Sequence, residues 1–208
     1  MAQRRAFLGQ LGVAAAALIV DRPPPALPRS PRLTSEWDLS WVDRLSGVPY
    51  RVVFDANQVA DGFALDLAST FLDQYHEVYD TSDDQARAVI VMRQLGTPLA
   101  LGDALWDRYA IGEEIGVKDP GTHQPARRNP FLKGKLEALR ARGTILLLCN
   151  IAANNWASSH AARSHRDAEA VWAEVKSGLA PGVILVPSGV FALIRAQNAG
   201  CAYMRGAL

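Results

Sequence analysis

From residue 50 onward, short apolar runs alternate with longer segments whose apolar residues recur every three or four positions. The short runs are bounded by polar residues and are rich in β-branched residues or leucine, a pattern that predicts buried strands. The predicted strands cover residues 50–55, 88–92, 144–148, 183–186 and 202–204. Continuous apolar strands separated by helices indicate a parallel sheet covered on both faces. The sequence therefore predicts a three-layer α/β sandwich with a mostly parallel sheet of about five strands.

The segments between the strands carry helical spacing. Phe63, Leu67, Phe71 and Tyr75 recur every four residues, which predicts a helix over 63–75. A helix after the fourth strand is predicted to begin at a Ser188 cap and to end before Gly200. The remaining predicted helices cover 105–115, 131–140 and one long stretch, 158–179. Residues 116–130 are rich in Gly and Pro and predict a loop.

The start of the chain has its own pattern. Arg4 and Arg5 precede Phe7 and Leu8, and residues 10–20 form an uncharged stretch rich in Ala, Gly and Val. This combination is typical of a twin-arginine export signal, so the sequence predicts a periplasmic protein carried by the Tat translocase. Cleavage near residue 16 or residue 26 is one outcome. The alternative is a retained inner-membrane anchor over residues 6–20, although this run is shorter than the ~20 residues that span a bilayer.

Residues 21–31 contain five prolines and predict an extended linker. After it, Trp37, Trp41 and Leu45 mark a short apolar segment that is expected to pack on the domain as a helical turn. The predicted organisation is therefore a signal or anchor over 1–20, a linker and packing segment over 21–49, and an α/β domain over 50–208.

Composition narrows the classes of function. The formal net charge is +1 and no basic stripe with interleaved aromatic residues is present, so nucleic acid is not an expected partner. The four histidines are dispersed and the two cysteines do not form a zinc-type spacing, so no metal site is predicted. Because no Walker loop, dinucleotide glycine fingerprint or Ser-His-Asp order occurs, the sequence predicts no cofactor.

Candidate chemistry lies at the carboxyl ends of the predicted strands, where ligands bind open parallel sheets. The strongest nucleophile there is Cys149, which follows the third strand and precedes a helix. A helix N-terminus and Arg93, at the end of the second strand, would favour its thiolate form. The alternative is that Cys149 is a small buried apolar residue. Cys201 opens the last strand, at the opposite end of the sheet, and no disulfide between the two is expected.

The other residues at this edge each have two interpretations. Asp55, after the first strand, is an acid or base, or else a turn residue. Arg93 is a substrate clamp or the ion-pair partner of Asp55. Ser188 and Gly189 bind an anion through backbone amides, or Ser188 is only a helix cap. Asn150, beside the thiol, is a candidate ligand-binding residue. Residues 154–156 and Trp106 line a pocket or are core packing.

The C-terminal half resembles the DsrE/DsrF-like family of small α/β proteins associated with sulfur oxidation and sulfur relay. The resemblance rests on residues 146–150, 179–190 and 195–203, with the strand 89–93 upstream. It implies a homo-oligomeric or hetero-oligomeric protein. In relay members a cysteine at a strand end carries sulfur as a persulfide, and by position that cysteine is Cys149. The chain departs from the cytoplasmic relay members in its export signal and in an insert over 101–128.

Two functions follow from these observations. In the first, the exported protein is a persulfide carrier that uses Cys149, with Arg93 and nearby amides steadying the anionic sulfur. In the second, the same fold is a non-catalytic extracytoplasmic subunit that its N-terminal segment tethers to a membrane protein complex.

Overall fold

Five parallel strands form one sheet, in the order β4-β3-β2-β1-β5, in the computed structural model, which describes residues 37–207. The strands are β1 (Tyr50–Gln58), β2 (Ala86–Leu95), β3 (Ile145–Cys149), β4 (Val183–Val186) and β5 (Ala202–Arg205). Helices cover both faces, so the predicted α/β class is confirmed. The predicted export signal and the proline-rich stretch lie outside the described residues.

Two strands are longer than the apolar runs that predicted them. β1 continues to Gln58 and β2 to Leu95, so Asp55 and Arg93 lie within strands and do not follow them. The interpretation of Asp55 as a turn residue is therefore wrong. An apolar pattern places the ends of these two strands too early, because Asp55 and Arg93 are polar residues within the sheet that hydrogen-bond to each other.

Seven α-helices connect the strands within the described part of the chain. They are α1 (Phe63–Tyr79), α2 (Asp103–Arg108), α3 (Ile111–Ile115), α4 (Glu137–Ala141), α5 (Asn150–Ser164), α6 (Ala168–Ser177) and α7 (Gly189–Asn198). Short 3-10 helices lie at Ser40–Leu45, Ala60–Gly62 and Thr97–Ala100, and a π-helical turn at Leu132–Leu136 precedes α4.

Four of the predicted helices have different boundaries in the structure. The helix predicted over 63–75 is α1, which continues to Tyr79. The stretch 158–179 is not one helix. The first helix, α5, already begins at Asn150 and ends at Ser164, where His165 adopts φ 51°, and α6 begins at Ala168. The stretch 105–115 is likewise divided, at Ala110 with φ 49°. The stretch 131–140 combines the π-helical turn with α4. At the two breaks, His165 and Ala110, the chain turns at a residue in the left-handed conformation. Ala and His rarely adopt this conformation, so the sequence does not mark the break.

The sheet divides the core in two. On one face, α1, α5 and α6 pack their small and aliphatic residues against alternate strand positions such as Phe54, Ile90 and Leu146. On the other face, α7 and the 3-10 helix Ser40–Leu45 cover the intervening positions, with Trp41 fully buried. The segment expected to pack as a helical turn is this 3-10 helix. Within residues 37–207, no helix is both long and apolar enough to cross a bilayer.

Candidate functional site

The chain leaves two neighbouring strands towards opposite faces of the sheet. After β3 it enters α5, which packs on one face, and after β4 it enters α7, which packs on the other. Such a divergence opens a crevice at the carboxyl ends of the strands, where ligands of open α/β sheets bind. A cavity of about 510 Å³ lies here, which we call the Cys149 cavity. Its lining comprises Arg93, Gln94, Leu95, Glu114, Cys149, Ile151, Ala152, Asn155, Trp156, Ser159, His160, Arg163, Ser188, Gly189 and Val190.

Cys149 ends β3 and caps α5. Its sulfur accepts a hydrogen bond from the Ala152 N–H at 3.4 Å, in the position where Ser or Asp usually caps a helix. The residue is only 6% exposed, yet it lines the cavity. The reactive atom is therefore held in one place by the helix that it starts, with one side towards the crevice.

Arg93 and Asp55 form a bidentate ion pair beside the thiol. Arg93 Nε donates to Asp55 Oδ1 and Nη2 to Oδ2, both at 2.7 Å. Met92 pairs with Leu148 in the sheet, so Arg93 and Cys149 follow at adjacent positions of neighbouring strands. The Tyr203 hydroxyl, from β5, donates to the same carboxylate at 3.1 Å. Of the two interpretations of Arg93, the ion-pair partner of Asp55 is confirmed.

Ser188 and Gly189 start α7 across the crevice from Cys149. The Ser188 hydroxyl accepts from the Phe191 N–H at 3.0 Å, so the predicted cap is confirmed. Gly189 makes room for the stem of Arg93, because a methyl group there would lie 2.5 Å from Arg93 Cδ. The N–H groups in the first turn of a helix have no partner within that helix. The Ser188 cap occupies only the Phe191 N–H, so the N–H groups of Gly189 and Val190 can bind a ligand.

Electrostatics at this end of the cavity favour an anion. The hydrogen bonds that Arg93 donates to Asp55 raise the pKa of Arg93 more than burial lowers it, and the charges of Asp55, Tyr203 and Cys149 raise it further. The guanidinium is therefore always charged. Both α5 and α7 also direct their positive N-terminal ends at the crevice. A sulfur anion on Cys149 would face two helix termini and the Arg93 guanidinium, whose charge the Asp55 carboxylate partly offsets.

The far end of the cavity holds a second cluster, on α3 and the last turns of α5. His160 Nε2 lies 3.1 Å from Glu114 Oε2, and Arg163 Nη2 donates to Glu114 Oε1 at 2.8 Å. The rings of His160 and Trp156 lie 3.8 Å apart between centroids. Burial lowers the pKa of His160, against the opposing effect of Glu114. This cluster is neutral overall when the imidazole is unprotonated.

Four of the six predicted site residues line the Cys149 cavity: Arg93, Cys149, Ser188 and Gly189. Asp55 lies behind Arg93, 3% exposed, and acts on the cavity through that side chain. Asn150 is the half-buried first residue of α5, and the lining continues from Ile151 instead.

Sequence reasoning missed the far cluster of Glu114, His160 and Arg163. The four-residue spacing of Trp156 and His160 on one helix was the available signal. Of residues 154–156, Asn155 and Trp156 line the cavity and Asn154 does not. Trp106 is fully buried and donates to the Pro98 carbonyl, so for this residue the core-packing interpretation is confirmed.

Cys201 is placed differently from Cys149. It precedes β5 at the amino end of the sheet, in the core under α7, and both cysteines are free. Burial raises the pKa of the Cys201 thiol to about 11. Among residues 37–207, no group of three or more His, Cys, Asp or Glu side chains is arranged to hold a metal ion.

Comparisons with known proteins give little beyond this geometry. No family model matches the chain. No curated protein matches it either. Among solved structures, it is similar to a protein of unknown function, MTH1491, from Methanobacterium thermoautotrophicum, with 20% sequence identity and a TM-score of 0.42. That match covers 75% of this chain and 98% of the other. These comparisons therefore assign no function to the chain.

Proposed function

We propose that this protein is an exported persulfide carrier of the DsrE-like type, in which Cys149 holds a sulfane sulfur atom for transfer. The observation that carries the proposal is the position of the Cys149 sulfur. It caps α5, lies beside the Arg93 position of the neighbouring strand, and lines an open cavity of about 510 Å³. A thiol at a helix N-terminus near a cation is the arrangement that activates cysteine.

Transfer to Cys149 needs no external oxidant. The thiolate attacks the outer sulfur of a donor persulfide, R–S–SH, and a new S–S bond forms on Cys149. The S–S bond of the donor breaks, and its electron pair leaves with R–S⁻. The outer sulfur keeps its proton or releases it to water. An acceptor thiolate then attacks the same outer sulfur, which returns Cys149 to its thiolate form.

The residues of the cavity have separate roles in this reaction. The Ala152 N–H and the first-turn amides of α7 stabilise negative charge on sulfur, first on the thiolate and then on the persulfide. Arg93 supplies a fixed positive charge, and Asp55 orients it through two hydrogen bonds. Gly189 allows that guanidinium stem to lie against the start of α7.

The test is to load the full-length protein with inorganic polysulfide and to measure its intact mass. We expect the mass of one or more added sulfur atoms on wild type and on Cys201→Ser, and none on Cys149→Ser. Serine at position 149 keeps a capping oxygen, so α5 is retained. Removal of the added sulfur by a thiol reductant identifies it as a persulfide. An unmodified wild type, or equal loading of Cys149→Ser, would refute the proposal.

The same experiment bears on the second candidate function, the non-catalytic subunit of a membrane complex. Its structural support is the edge strand β5, where Tyr203 and Met204 are 48% and 46% exposed and suited to a protein contact. A protein that resists loading but co-purifies with membrane proteins from the cell envelope would favour this function.

A further inference from the structure

We propose that the sulfur donor is the persulfide of a small peptide-like thiol, bound along α5 from Cys149 to the Glu114–Arg163 pair. This inference rests on the proposed function and names the substrate class of the same site. A donor of this class carries its sulfur at one position, amide groups in the middle, and a free ammonium and carboxylate at the far end.

The length of the cavity is the first support. Seven of its lining residues lie on α5 and recur at one- and three-residue steps from Ile151 to Arg163, which places them on one side of the helix. At 1.5 Å per residue this side extends for about 18 Å. Inorganic sulfur anions need only the Cys149 end. An extended peptide covers about 3.5 Å per residue, so about five residues match the full length. Fewer match the span that remains between the Cys149 and Arg163 side chains, which both line the cavity.

The middle of the Cys149 cavity contains hydrogen-bonding side chains that have no partner among the described residues. Asn155 and Ser159 lie one turn apart on α5 and line the cavity, and neither side chain has a hydrogen-bond partner within residues 37–207. A carboxamide both donates and accepts, as does a hydroxyl. The two groups therefore suit the alternating N–H and C=O groups of a peptide. The half-buried Trp156 ring forms the adjacent apolar wall.

The far end is matched to a zwitterion. Arg163 uses Nη2 to bind Glu114 and His160, whereas its Nη1 and Nε have no partner among the described residues. Three N–H groups of its side chain thus remain for a carboxylate. Glu114 keeps free lone pairs for an ammonium group. The two side chains are 57% and 35% exposed, so a ligand can reach both.

The Cys149 end of the cavity also includes three exposed apolar side chains. Leu95, Ile151 and Val190 are 72%, 56% and 61% exposed and line the cavity. They come from the end of β2 and the first turns of α5 and α7. Carbon atoms next to the sulfur of an organic thiol would pack here, whereas an inorganic polysulfide would leave these side chains in water.

The test compares two donors on the full-length protein: glutathione persulfide as the peptide-like probe and inorganic polysulfide as the small anion. The rate of Cys149 loading is measured against donor concentration. For wild type we expect saturation with glutathione persulfide. For Arg163→Met we expect the donor concentration at half-maximal rate to rise about tenfold, because one charge-assisted hydrogen-bonded contact to the donor is lost. The maximal rate should change little.

The matched control is Arg127→Met, which removes a similarly exposed arginine from an ion pair with Asp107, 3.7 Å long and away from the cavity. This variant should load like wild type. Loading by inorganic polysulfide should be unchanged in both variants. Equal effects of Arg163→Met on the two donors, or a peptide-like donor that does not saturate, would overturn the substrate class. If neither donor loads Cys149, the proposed function falls as well.

Discussion

Asp55 shows how one residue joins the sheet to the site. Its carboxylate is 3% exposed and accepts from Arg93 on β2 and from the Tyr203 hydroxyl on β5. A buried carboxylate is costly unless it is paired and hydrogen-bonded, and here three donor groups from two neighbouring strands satisfy it. The same bonds fix the guanidinium on the α7 face of the sheet, next to Cys149. Stability and the electrostatics of the cavity therefore depend on the same carboxylate.

Replacing Asp55 by Ala should lower the free energy of unfolding by about 3 kcal/mol, because the partly buried Arg93 charge loses its only ion-pair partner among the described residues. Tyr203→Phe removes only one neutral donor and should cost about 1 kcal/mol. Urea denaturation of the two variants and wild type measures both values. A cost for Asp55→Ala no larger than that for Tyr203→Phe would show that the ion pair contributes nothing net.

At the scale of elements, α5 is the piece that makes the cavity. Its first residue directly follows Cys149, so no loop separates the strand from the helix, and one side of the helix carries the lining to Arg163. The reversal after Ser164, through His165 at φ 51°, then brings α6 back against α5. A non-glycine residue in this conformation carries a backbone cost that glycine does not.

We therefore expect His165→Gly to raise the free energy of unfolding by about 0.5 kcal/mol, since relief of the left-handed strain exceeds the added entropy of the unfolded chain. His165→Val should lower it by about 1 kcal/mol or more, because a β-branched residue tolerates positive φ poorly. Thermal and urea unfolding of the pair give the sign. If Val is the more stable variant, the break between α5 and α6 is not where the structure places it.

The strands could be predicted because buried parallel strands are continuous apolar runs, and the position of Cys149 followed from the run before it. The ends of β1 and β2 could not be predicted, because Asp55 and Arg93 are charged residues that normally mark the end of a buried strand. Only the structure shows that they hydrogen-bond to each other within the sheet. The helix break at His165 has no glycine or proline to mark it. Glu114 was missed because it reaches the cavity from α3, far along the chain, through packing that no local pattern encodes.

At the scale of the whole molecule, the stability of the fold depends on pH through an ionic cluster that joins α2 to α6. Glu174 bonds to Arg166 and to the Tyr109 hydroxyl, and pairs with Arg108 at 2.9 Å. The Arg166 hydrogen bond, followed by that of Tyr109, lowers the pKa of Glu174 from 4.5 to about 2. A lowered carboxyl pKa contributes stability that is fully present above the unfolded value. The contribution is lost as pH falls from about 4.5 towards about 2.

Glu174→Gln should accordingly be less stable than wild type at neutral pH, and the difference should shrink as the pH approaches about 2. The midpoints of urea unfolding, measured for both proteins across that range, report the change. A difference that stays constant with pH would mean that the carboxylate charge is not what stabilises the cluster.

Because the sulfur of Cys149 accepts the Ala152 N–H, that amide proton senses every change at the sulfur. Thiol, thiolate and persulfide differ in charge and in acceptor strength, so each gives this one amide a different chemical shift. In an ¹⁵N-labelled sample, a single cross-peak then reports which fraction of the molecules carries sulfur. The Ala152 amide in the helix cap thus measures the sulfur load of Cys149 without a dye, an enzyme assay or a change to the sequence.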